Sequence, residues 1–197
     1  KKIKELELNF PSEKVIKENK FVNFKGSNSL DNIFKHHKIP KKFDFLSIDV
    51  DGVDYHIFDS LKKYQPKIIC IEYNPTIPNS VEFIQGRDFK IKHGSSAKSI
   101  IQLAEKKKYS LVALTECNLI FVDRKYKKNI PVTNNSLVNL NPKGNYPTYI
   151  FTGYDGSILS NKKYLKFNWH NIKMPLSKLQ YFPKILIKYH ADYNIFQ

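Results

Sequence analysis

Seven polar residues in the middle of the chain have types and spacing suited to chemistry. Asp49, Asp51 and Asp54 fall in Ile48-Asp-Val-Asp-Gly-Val-Asp54, directly after an apolar run. Two carboxylates two residues apart at a strand end can hold a divalent cation or accept hydrogen bonds from ribose or sugar hydroxyls, and open α/β sheets bind ligands at such ends. The same residues also suit a plain turn, because Asp-Gly is common turn chemistry and Asp54 can cap a helix. Glu72 and Asn74 leave a second apolar run in Glu72-Tyr-Asn-Pro75, where a carboxylate and an amide can face one ligand; a strand-ending Asn-Pro turn is the alternative. Glu116 turns with Cys117 and Asn118 at the end of a further strand. His93 precedes Gly94-Ser-Ser96, so the amides of a helix N-terminus would lie beside it, a contact suited to an anion or a substrate.

Other chemistry has less support. His56 reads as a helix residue facing solvent, and His36-His37 as the finish of a helix surface. No His/Cys spacing fits zinc, so no metal site is expected. There is no P-loop and no nucleophile elbow. The 7 glycines include no Gly-x-Gly pair, so a glycine-rich cofactor loop is absent from these residues.

The elements that must position these residues follow from periodicity. Ile3, Leu6 and Phe10 recur at helical spacing, and Val15 to Phe24 reads as a strand. Ser27 or Ser29 caps a helix carrying Leu30, Ile33, Phe34 and His37 on one stripe, which Pro40 stops. Residues 43–50 form a nearly continuous apolar run, as expected of a parallel strand covered on both faces. A short helix with Ile57, Phe58 and Leu61 inward follows, then a second buried strand at 67–73. The irregular stretch Asn74 to Gly94 is too long for a simple connection, and such loops are often functional. Ser95 or Ser96 caps a helix with Ala97, Ile100, Ile101 and Ala104 inward. Strands 109–115 and 119–123 are separated so briefly that they must form an antiparallel hairpin.

This alternation predicts an α/β fold: a Rossmann-like, doubly wound, mostly parallel sheet with an antiparallel last strand. Residues 1–126 form that domain. Residues 127–197, richer in Asn, Pro and Lys, form a C-terminal extension too small for its own core. The extension carries a hairpin signal at Tyr154-Asp-Gly-Ser157 and is expected to pack on the sheet through Trp169, Phe182 and Tyr189.

Composition limits the partners. The chain has 197 residues, 41% hydrophobic and 14% aromatic, enough for a packed core. Its net charge of +15 comes almost wholly from lysine, since Arg87 and Arg124 are the two arginines. Lysine is a solvated point charge with little of arginine's bidentate geometry, and these lysines are spread along the chain with abundant Asn and Ile. That pattern fits compositional bias, and no specific nucleic-acid partner is expected. No apolar run is long enough to span a membrane, and the two cysteines, Cys70 and Cys117, suit a reducing, cytoplasmic setting. The oligomeric state is open.

With these residues in hand, the chain resembles the FkbM-like group of class I S-adenosylmethionine-dependent methyltransferases. The resemblance rests on Phe43-Asp-Phe-Leu-Ser-Ile-Asp-Val-Asp-Gly52, on Lys67-Ile-Ile-Cys-Ile-Glu-Tyr-Asn-Pro75, and on the helix and hairpin from Ser95 to Val122. It covers roughly residues 1–126. The usual Asp-x-Glu-Gly signature stands here as Asp49-Val-Asp51-Gly52. What the resemblance implies is a seven-stranded sheet with its last strand inserted antiparallel, S-adenosylmethionine as cofactor, and methyl transfer to a hydroxyl of a saccharide or other polar small molecule. It further implies Asp49 beside the cofactor's methionine end, Asp51, Asp54 and His93 as catalytic candidates, and Glu72, Asn74 and Glu116 as substrate contacts.

The resemblance also frames a further expectation. The chain opens at Lys1 within helical spacing, so it reads as a fragment whose first strand and glycine loop lie upstream. On that reading residues 1–197 alone bind the cofactor weakly at best and do not turn over. Three alternatives stand beside methyl transfer: a non-catalytic binding domain of this fold, an Asp-x-Asp phosphatase, and a metal-dependent sugar transferase. The phosphatase needs a later lysine and a paired-Asp magnesium site, and Glu72 and Glu116 occupy the corresponding strand ends.

Overall fold

The computed structural model describes residues 2–12, 14–131, 136–140, 150–153, 155–160, 162–167 and 172–189. Its centre is a four-stranded sheet built from β1 (Phe45–Ile48), β2 (Ile68–Glu72), β3 (Tyr109–Leu114) and β4 (Asn118–Asp123), in the order β1-β2-β4-β3. β1 and β2 are parallel, and β4 is antiparallel to both β2 and β3. β1, β2 and β3 therefore run one way, with the last strand of the hairpin inserted between β2 and β3. The sheet is mixed where the sequence predicts a mostly parallel one. The reason is the hairpin, since one inserted strand makes two antiparallel interfaces and leaves β1–β2 as the parallel pair among the described strands.

Register explains the core. Leu46, Ile69 and Phe121 align across three strands, as do Ile48, Ile71 and Leu119, and all six are buried. The helices α3 (Asp54–Ser60) and α4 (Ala97–Lys106) contribute Ile57 and Phe58, and Ala97, Ile100, Leu103 and Ala104, to the same cluster. α4 begins as the sequence predicts, with the Ser96 side chain accepting the Ser99 N–H. The other face is more open. Phe45 and Ser47 of β1 are exposed, so the expected double coverage of 43–50 is not found among the described residues.

The region before β1 departs further from expectation. The helix α1 (Lys2–Asn9) forms, but Leu6, Leu8 and Phe10 are exposed. Residues 15–24 are not a strand; a single bridge from Asn23 to Ser29 is their ladder contact. A strand needs a partner edge to satisfy its backbone, and no described segment supplies one here. The helix α2 (Leu30–His36) follows Ser29, whose hydroxyl donates to the Gly26 carbonyl and does not cap the helix.

After β4 the chain makes α5 (Leu137–Leu140), whose two leucines pack against the edge of the core beside β3. Two small antiparallel pairs follow: β5 (Ile150–Thr152) with β6 (Ile158–Ser160), and β7 (Tyr164–Phe167) with β8 (Ile172–Pro175). The first is the hairpin predicted around residues 154–157, although Tyr154 itself lies outside the described residues, as does Trp169. The rings of Phe182 and Tyr189 lie beside Gly156 and Gly153 of that hairpin turn and are both partly exposed. Among the described residues, no helix is long and apolar enough to cross a membrane.

Candidate functional site

The C-terminal ends of β1 and β2 open side by side, and the turns leaving them form a cavity of about 90 Å³. Asp51, Asp54, Glu72, Asn74, Lys92 and His93 line it. Five of these were singled out from sequence; Lys92 was not. Asp49 is exposed just beyond β1, near enough for its charge to act on Glu72, but it is not part of the cavity wall. Glu116 is exposed on the β3–β4 turn and also lies outside that wall.

The turn after β1 is held from within. The buried Asp54 carboxylate accepts the N–H of Val50 on one oxygen and of Gly52 on the other, each at 2.9 Å. Asp54 is the first residue of α3 and not its cap as expected: its side chain binds backward to the turn, and the N-cap residue is Val53. Burial pushes its carboxyl pKa up, and the two N–H donors oppose that shift. Asp51 has φ of 55°, a left-handed conformation that Asp tolerates better than most residues, and its side chain reaches Lys92 at 3.6 Å. Gly52 has φ of 122°, and a Cβ there would meet Gln85 Oε1 at 2.9 Å and Ile91 O at 3.0 Å. Glycine is required twice over, for conformation and for space.

The Asn74–Gly94 stretch is irregular, as expected, yet it is not loose. Gln85 is its hub. That side chain is 2% exposed; its Oε1 accepts the N–H groups of His93 at 2.8 Å and Gly94 at 2.7 Å, and its Nε2 donates to the Ile91 carbonyl at 2.6 Å. The Gln85 carbonyl takes a 2.6 Å hydrogen bond from His56 Nε2. His56 is therefore buried under the loop, correcting the solvent-facing reading; Arg87 Nε donates to its Nδ1 at 3.4 Å. Neither Gln85 nor His56 could be found from local periodicity, because the element that covers them is a polar loop returning from elsewhere.

Asn74 is also spent on this loop. Its Nδ2 donates to the His93 carbonyl at 2.7 Å, while its Oδ1 accepts the Thr76 N–H at 2.8 Å and hydroxyl at 2.6 Å. His93 is fixed through its main chain, and its ring meets Phe83 edge-on with centroids 5.3 Å apart. Glu72 is different. It is half-buried on β2 opposite Asn118, and its pKa is pushed up to about 7. Burial is the main cause, followed by the negative charges of Asp54, Asp49 and Asp51. A carboxyl near neutrality can take or give a proton, whereas Asp54 and Asn74 fix the loops around it.

This is a mixed α/β protein with an acidic cavity at the ends of two parallel strands. Residues 25–111, a little under half of the chain, match the family model of the methyltransferase FkbM domain. The match takes in α2, β1, α3, β2, α4 and the start of β3, with the whole cavity wall; Glu116 lies beyond it. That match supports methyl transfer as the general activity of this stretch. No curated protein and no solved structure matches the chain.

Proposed function

We propose that the chain forms the acceptor side of an S-adenosylmethionine-dependent methyltransferase whose acceptor is a hydroxyl of a saccharide or similarly polar small molecule. The observation that carries this reading is Glu72, a strand-end carboxyl with a pKa of about 7 on the wall of a cavity shared with Asp51. The donor set suits a sulfonium cofactor, because Asp49, Asp51 and Glu72 bring negative charge toward a cation. When bound, the cofactor supplies an electrophilic methyl group, and Asp49 is the residue that would hold its methionine end.

The chain's own residues do the remaining work. Glu72 takes the proton of the acceptor hydroxyl, raising the nucleophilicity of its oxygen. With a pKa near neutrality, it is ionised often enough to accept that proton and basic enough to keep it. Asp51 and Lys92, paired across the cavity mouth, offer an acceptor and a donor to neighbouring hydroxyls of a polyol. Asp54 and Gln85 are positioning residues: they fix the two loops so that the acceptor oxygen is aligned without reorganisation.

The test is calorimetric titration of the protein with S-adenosylmethionine and labelled methyl transfer to a panel of saccharides. Cofactor binding together with transfer lost at least ~100-fold in Glu72→Gln is the expected result. Heat of binding with no transfer to any acceptor would instead identify a binding domain. Absence of heat alongside magnesium-dependent phosphatase turnover would favour Asp-x-Asp chemistry.

A further inference from the structure

Away from the acidic cavity, the chain brings together three residues that sequence spacing does not connect. Glu18 belongs to the extended segment before α2, His36 is the last residue of that helix, and His37 follows it. Each offers one ligand atom, and these atoms lie within 4.8 Å of one another. His37 Nε2 is 2.9 Å from Glu18 Oε2, and the two imidazole rings meet edge-on with centroids 4.9 Å apart. Lys20 occupies the other carboxylate oxygen, Oε1. Glu18 and His37 also line one end of an apolar cavity of about 470 Å³, with Phe34 and Phe43.

We propose that Glu18, His36 and His37 form a binding site for a divalent zinc-type cation. Two imidazole nitrogens and one carboxylate oxygen are a donor set for zinc and its neighbours, whereas magnesium and calcium prefer oxygen throughout. Ligands around a tetrahedral zinc stand roughly 3.4 Å apart, given metal–ligand bonds of about 2.1 Å, so side-chain rotation of about an ångström closes the set. The 2.9 Å contact between His37 Nε2 and Glu18 Oε2 spans the position that the ion would take. Lys20, by holding Oε1, turns Oε2 toward the imidazoles and makes the carboxylate a one-oxygen ligand. Three protein ligands leave a fourth position for water or an incoming donor. An ion here ties the segment before α2 to the helix's C-terminal end, where the peptide backbone itself forms no ladder.

Zinc competition between the 197-residue chain and a chromophoric chelator tests the site. One equivalent bound by the native chain is expected, with affinity at least ~10-fold lower in His37→Ala, in His36→Ala and in Glu18→Gln. Calcium at the same concentration should not displace it. Failure to take zinc from the chelator, unchanged affinity in the histidine variants, or displacement by calcium would overturn the assignment. A second measurement needs no variant: zinc should protect His36 and His37 of the native chain from diethyl pyrocarbonate. Equal labelling with and without zinc, read by mass spectrometry, would equally overturn it.

Discussion

Glu72 and Asp54 line the same cavity, where burial first and the neighbouring Asp54 carboxylate second raise the proton affinity of Glu72. Both groups leave water on folding, and each carboxylate disfavours charge on its neighbours. Asp54 has two backbone donors to offset burial. Glu72 holds the more accessible position, and its pKa is pushed up to about 7. One acid anchors the turn while the other is available for proton transfer.

The shift gives a pH-dependent stability. The Glu72 pKa is about 7 in the folded chain against an ordinary value of 4.5. The folded state therefore binds more protons between these values, and stability falls as pH rises from about 4.5 to 7. Glu72→Gln should be more stable than the parent at pH 8 by about 1 kcal/mol, after discounting for the half-exposed position, with the difference vanishing below pH 4.5. Urea unfolding across this range checks the sign; a difference that grows toward acid would refute it.

Gly52→Ala should destabilise the chain by roughly 2–3 kcal/mol, since the new methyl needs both a rare conformation and space held by the 85–92 loop. Gly86→Ala is the control, because a Cβ at Gly86 has open space around it. Equal unfolding midpoints for the two variants would contradict the packing described.

Gln85→Ala should cost about 3 kcal/mol, because it strips the acceptor from two amides and a donor from the Ile91 carbonyl in a buried setting. Hydrogen exchange offers a sharper reading than the midpoint. The amides of His93 and Gly94 should lose protection while those of β2 keep theirs. Loss spread evenly over the sheet would mean that the loop is not a separate unit.

Burial pushes the thiols of Cys70 and Cys117 upward, with Glu116 and Glu72 adding to the effect at Cys117. Both should react with iodoacetamide at pH 7 at least ~10-fold more slowly than free cysteine. A rate equal to or above that of the free amino acid at either position would show a thiolate that these surroundings do not support.

What the sequence made legible was what repeats locally. The apolar runs at 43–50 and 67–73 and the short break before Asn118 were enough to read β1, β2 and the β3–β4 hairpin. Ser96 announced α4 because a cap acts within one turn. Residues 15–24 failed the same reasoning: Val15, Ile16 and Phe21 suit a strand, but strand formation depends on a partner, and all three side chains are exposed. His56 sits beside the inward positions Ile57 and Phe58, and its burial is decided by a loop whose arrival no helical spacing encodes. Gln85 was hidden for the reverse reason, being one polar residue in a polar stretch. The carboxylate cluster was visible as residues, but that Asp54 anchors its own turn while Glu72 is half-buried beside it required knowing which backbone donors Asp54 meets.

The position of β4 sets an order of assembly. The last strand of the sheet to be synthesised lies between two that precede it, and β2 and β3 share no ladder without it. Until Asp123 has left the ribosome, among the described strands β2 has β1 as its partner and β3 has none. Glu72 lacks its cross-strand neighbour Asn118 for the same interval. Nascent chains halted before β4 should thus expose two apolar strand edges to chaperones and then complete the sheet in a single late step.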